Sequence, residues 1–212
     1  MQLTQADAVA LIAAAVGAFL GSGSAFLLQY IHQRRSLRVA RESSLIQAEF
    51  ILSMQLNTLV QLDRQHLAPL RDDPERTLLL RPAAYIPSET LLDISTIAFV
   101  AVSGQVEALQ AVHGAQDAYR SALSMLQERA TFYKQTCYGA DVRSTSFDFD
   151  SGESTSQLDV RQVRVLKSLT DGLYKTVADA IEMETQAFAD LDLVLRSHYP
   201  KAKRLYFDVA DA

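Results

Sequence analysis

Four histidines, one cysteine and a scatter of carboxylates are the residues of this 212-residue chain that could do chemistry, and their spacing argues against most of it. His32, His66, His113 and His198 stand far apart, with no HxxxH, HExxH or ExxH among them. A helical zinc site needs ligands repeated on one face, and a di-iron bundle needs inward-facing Glu-x-x-His pairs. Cys137 alone builds neither. Asp148, Asp150, Gly152 and Glu153 crowd together, but a calcium loop needs Gly at its sixth position and Glu at its twelfth, and this order supplies neither. No GxxxxGK[ST], GxGxxG or GxSxG pattern occurs. The sequence therefore points to no catalytic residue, no cofactor and no metal. Each histidine reads as a surface or interface residue. His66, beside Arg64, Arg71 and Asp72, is the candidate for a polar contact that sets its loop.

Two other sets of charges bear on recognition. Arg71, Arg76 and Arg81 punctuate a stretch that also holds Asp72, Asp73 and Glu75. They are expected either to pair locally or to meet a partner, and a guanidinium could meet phosphate bidentately. Lys201, Lys203 and Arg204 form a second basic group, followed by the aromatic Tyr206 and Phe207. Glu184 is the acidic residue nearest an apolar seam. Buried, it would need a partner such as Arg; the sequence favours an exposed edge position.

The elements that must position these residues begin with Ala8 to Leu28, twenty-one residues without a charge. At about 1.5 Å rise per residue such a run can cross roughly 30 Å of hydrocarbon as one helix. A secretory signal would open on a basic stretch, whereas the only charge before this run is Asp7. After it come Arg34, Arg35, Arg38 and Arg41, which places the N-terminus outside and the bulk of the chain in the cytoplasm. The same arginines suit anionic headgroups at the membrane interface. Ala13, Gly17, Gly21 and Ala25 recur every four residues and could let two such helices approach closely.

Residues 1–31 thus read as a tail and transmembrane anchor, and 32–212 as a helical domain with loops at 68–87 and 139–157. A net charge of −5 argues against nucleic acid as a partner. One cysteine suits a reducing compartment, and the absence of Trp with few Gly and Pro favours helix.

From Ser36 to Leu67 neither Gly nor Pro interrupts, and Leu45, Ala48, Leu52, Leu56 or Gln55, Leu59 and Leu62 make an apolar stripe. Continuity with the anchor is expected, with Ser43-Ser44 as the alternative break. Pro69, Pro74, Pro82 and Pro87 then enforce an irregular connection, with Glu75–Leu80 a short helical piece. Ser88 is a candidate N-cap for a helix carrying Leu91, Ile94, Ile97, Ala98 and Ala101, although the β-branched run 97–102 could be a strand. Ser103-Gly104 stops it. A long helix over 105–138 carries the seam Tyr119, Leu123, Leu126, Ala130 and Tyr133. The acidic, Ser/Thr-rich stretch 139–157 predicts an unstructured loop. A last helix over 158–197 carries Val163, Leu166, Leu173, Val177, Glu184, Phe188, Leu191 and Leu195, and ends at Pro200.

Together these elements predict an all-α protein: an N-terminal transmembrane helix followed by an antiparallel helical bundle or long coiled-coil hairpin.

The stretch LNTLVQLDRQHLAPLRDDP (56–74), continuing to Leu80-Arg81-Pro82, resembles a segment of uncharacterised bacterial single-span inner-membrane helical proteins. The likeness spans roughly residues 50–130 and implies a bacterial inner-membrane setting with no chemistry attached. The function expected is that of a non-enzymatic, membrane-anchored adaptor, sensor or scaffold. Its partners would be the lipid bilayer and either a second copy of itself or another protein. The alternative is an oligomeric effector that perturbs bilayer permeability through its transmembrane helix.

Overall fold

The computed structural model describes residues 5–82, 90–137 and 159–202, with side chains from residue 17 onward, and every regular element among them is helical. The chain divides into two units, Met1–Ser43 and Ser44–Ala212. Helix α1 (Gln5–Leu62) contributes to both, continuing through Ser43-Ser44 without a break.

In the first unit α1 has no core to pack on. Every described side chain from Gly17 to Arg41 is exposed, including Phe19 at 82% and Phe26 at 72%. Among the described residues no helix is long and apolar enough to cross a membrane. The predicted span starts at Ala8, so its first side chains, Ala13 of the small-residue stripe included, lie outside the described ones. The span therefore rests on sequence.

The second unit is a helical bundle. Its long elements are the last part of α1, α4 (Val106–Cys137) and α5 (Val160–His198). Between α1 and α4 run a π-turn (Asp63–Leu67), a 3-10 turn (Ala68–Leu70), α2 (Arg76–Leu79), a second 3-10 turn (Ile94–Ile97) and α3 (Phe99–Val102). The predicted stripe of α1 is the buried one. Leu45, Ala48 and Leu52 pack with Val112 and Ala115 of α4 and Ala187 and Leu191 of α5. Leu59 and Leu62 pack with Tyr119, Leu123, Leu126, Leu173 and Val177. A third cluster gathers Leu78, Tyr133, Cys137, Val163 and Leu166. Of the α5 seam only Phe188 is partly exposed. The α4–α5 hairpin follows the predicted pattern, but its joining loop (139–157) lies outside the described residues.

Helix ends follow local chemistry. Asp159 caps α5: its carboxylate accepts from the Arg161 N–H at 3.0 Å, and its own N–H donates to Gln162 Oε1 at 3.2 Å. Helix α5 ends at His198, before Pro200. Gly104 takes φ +87°, the left-handed conformation that closes α3 and turns the chain into α4.

The segment before Gly104 corrects the sequence reading. Ser88 lies outside the described residues, and the chain forms neither one helix nor a strand. It runs extended to Asp93, whose side chain accepts from the Ser95 N–H at 3.0 Å and starts the 3-10 turn. Leu92, Ile97 and Val100 enter the core, while Ala98 is exposed. The Leu92 N–H donates not to the chain's own backbone but to Gln116 Oε1, at 2.9 Å.

That bond belongs to a polar layer where the first apolar cluster gives way to the second. Gln116 Nε2 donates to Gln55 Oε1 at 2.6 Å, and Gln55 Nε2 donates to the Thr90 carbonyl. Glu184 occupies the same level of α5, between Ala180 and Ala187. It is 0% exposed, not the edge residue expected, and neither carboxylate oxygen has a hydrogen-bond partner. No described arginine pairs with it. Burial pushes its pKa up to about 8, so it sits in the core as a neutral acid at pH 7.

Candidate functional site

The connection from Asp63 to Pro82 is the most elaborated surface of the second unit. Pro69, Pro74 and Pro82 keep this connection to short helical turns, and several of its carbonyls take donors from elsewhere. The long helices supply them. The Tyr174 hydroxyl donates to the Leu67 carbonyl at 2.8 Å, and the Tyr133 hydroxyl to that of Leu78 at 3.2 Å. Burial raises the pKa of both phenols, which keeps them protonated donors.

Arg129 does most of this work. It is 2% exposed, and its Nη2 donates to the Thr77 carbonyl at 3.1 Å and the Leu80 carbonyl at 2.6 Å. Its Nε donates to Thr170 Oγ1 at 2.9 Å. These carbonyls close α2, where a cation is electrostatically favoured. Burial lowers the Arg129 pKa to about 10, which leaves it a cation at neutral pH. Sequence reasoning passed over this residue. The available signal was its place at i+3 from Leu126 and i−4 from Tyr133, on the core face of α4.

The predicted arginines divide. Arg71 pairs with Asp63 at 2.8 Å, and Arg76 with Asp171 of α5 at 2.7 Å, instead of with Asp72, Asp73 or Glu75. Arg76 also lies over the Tyr174 ring, 5.2 Å from its centroid. Exposed pairs of this kind contribute about 0–1 kcal/mol each, so they orient the connection more than they stabilise it. Arg81 is exposed and makes no ion pair among the described residues. His66 is exposed and makes no hydrogen bond or ion pair among the described residues; the Arg71–Asp63 pair lies there instead. Lys201 is exposed, whereas Lys203 and Arg204 lie outside the described residues.

In the first unit, Gly17 and Gly21 have open space where a Cβ would stand, and Ala25 is exposed beside them. Arg34, Arg35, Arg38 and Arg41 are exposed, and the Arg34 guanidinium lies 4.7 Å from the centroid of the Tyr30 ring. The other histidines are exposed too, with His113 beside Asp117 at 3.1 Å. Cys137 is a buried free thiol. Among the described residues no group of His, Cys, Asp or Glu is arranged to hold a metal ion. No protein-family model, no curated protein and no solved structure matches this chain.

Proposed function

We infer that this protein is a membrane-anchored, non-enzymatic interaction module, with the N-terminal part of α1 as the anchor and the helical bundle as the cytoplasmic recognition unit. The observation that carries the reading is the exposure of Phe19, Leu20, Phe26, Leu27 and Leu28 around a helix with no core of its own. Bulky apolar side chains exposed on a helix need a cover, and lipid or another helix supplies one. The uncharged run from Ala8 has the length of a span, and the four arginines beyond Ile31 suit the cytoplasmic headgroup layer. The well-packed bundle, with the arginine-bearing connection on its surface, supports a binding role. Cross-linking in native membranes, followed by gentle purification and mass photometry, tests this role. A stoichiometric second protein is expected; a clean monomer without a partner would overturn it.

A second reading is favoured by the open stripe at Gly17 and Gly21: self-association that alters bilayer permeability. It predicts depolarisation on overproduction, abolished by Gly17→Leu or Gly21→Leu. An unchanged membrane potential removes it.

A further inference from the structure

In the bundle, α1 carries a second periodic stripe that neither reading uses. Gln47, Phe50, Met54, Asn57 and Gln61 are exposed and succeed one another by three or four residues, on the side of α1 opposite Leu45, Leu52 and Leu59. Phe50 is 51% exposed and Met54 44%. From Ser43 to Leu62 the one charged residue is Glu49, and it is buried. The outer faces of the other long helices differ: α4 exposes Glu107, Asp117 and Arg120, and α5 exposes Lys175, Asp179 and Glu182. Loss of charge around an exposed aromatic and a methionine is the composition of an interface core, not of a solvated helix face.

We propose that this stripe docks a second copy of the chain, α1 against α1, about a two-fold axis. The polar groups of the stripe choose that occupant. A two-fold contact brings a surface against itself, so each group must be able to partner its own kind. A carboxamide can, because it holds both a donor and an acceptor; a carboxylate, ammonium or guanidinium cannot. Gln47, Asn57 and Gln61 are all carboxamides, and they flank the apolar pair Phe50 and Met54 on both sides. The pattern therefore matches itself, apolar centre on apolar centre and amide on amide. A partner that recognised charge would find none here. From Gln47 to Gln61 the stripe runs about 21 Å, a narrow contact beside a standard interface, so the pairing is reversible and concentration-dependent. It goes beyond the anchored-module reading, which needs no second copy, and it lies in the bundle instead of at Gly17 and Gly21.

The test is sedimentation equilibrium of the purified full chain in mild detergent over a concentration series, with disulfide cross-linking as a second reading. The wild-type protein is expected to pass from monomer to dimer as concentration rises. Phe50→Glu, a change at an exposed position, sets like charge against like charge and is expected to weaken the dimer at least about tenfold at an unchanged Tm. Gly17→Leu is expected to leave the dimer intact. Under mild oxidation, Met54→Cys is expected to form covalent dimers several times more readily than Ser121→Cys on α4 or Thr185→Cys on α5, both exposed positions. A disulfide forms only where two Cα atoms come within about 7 Å, so the comparison locates the contact. A wild-type protein that stays monomeric, a dimer that survives Phe50→Glu or is lost in Gly17→Leu, or equal cross-linking at the three positions would each overturn the proposal. Cross-linking of Met54→Cys to a different protein in native membranes would overturn it too, and would give this face to that partner.

Discussion

Two buried ionisable side chains, Arg129 and Glu184, set the residue-scale physics, and they do so in opposite ways. Arg129 stays charged because carbonyls of the connection solvate it. Glu184 stays neutral because nothing does. Its folded-state pKa of about 8 lies above the ordinary 4.5, so the folded protein holds a proton that the unfolded chain has already released. Stability from this group is therefore complete below pH 4.5 and is lost as pH rises toward 8. At about 1.4 kcal/mol per pH unit, the loss across that window is on the order of 5 kcal/mol. Urea unfolding of wild type and Glu184→Gln from pH 5 to 9 checks this. The variant is expected to gain on the wild type steadily up to pH 8 and to hold a constant margin beyond it. The buried Glu49 is common to both proteins and cancels in the difference. An identical pH dependence in the two proteins would contradict the assignment. From sequence, Glu184 was visible as a seam position, but its burial was not. Heptad spacing locates the face, and only the packing of Ala180, Ala187 and the facing helices decides how much water remains.

At the scale of elements, the long helices were legible and the connections were not. Leu45 through Leu62, the α4 seam and the α5 seam repeat at three and four residues over many turns, and each repeat marks the face that is buried. Residues 90–103 carry too few turns for a period to speak. Their conformation is set at a distance by Gln116 and locally by Asp93, which no window over the segment contains. The start of α5 is the reverse case. Asp159-x-x-Gln162 is a capping-box pattern readable from sequence alone, and the structure forms both of its bonds. Asp159→Ala is expected to cost about 1 kcal/mol and Asp159→Ser much less, by chemical denaturation. Equal losses for the two would mean that the cap is not what holds this end. The arginines show the same division between local and remote causes: Arg76 has acidic neighbours in sequence, yet its partner is Asp171, ninety-five residues away.

For the whole molecule, the two units differ in how their described apolar side chains are covered. The bundle Ser44–Ala212 buries its apolar seams, with Arg129, Tyr133 and Tyr174 pinning the connection. From Gly17 to Arg41 the first unit presents apolar side chains with no described residue of its own to cover them. Covering that helix with lipid is the central claim, because the orientation and the role as an anchored recognition module follow from it. The most direct measurement is alkaline carbonate extraction of membranes from cells producing the full chain, beside the double variant Phe19→Arg/Phe26→Arg. Charges at the centre of a span cost about 2.5–3.5 kcal/mol each on insertion scales, so the variant is expected in the soluble fraction. The wild-type protein is expected to remain in the membrane pellet. Its release into the supernatant at high pH would contradict the account and leave the exposed helix to be covered by protein.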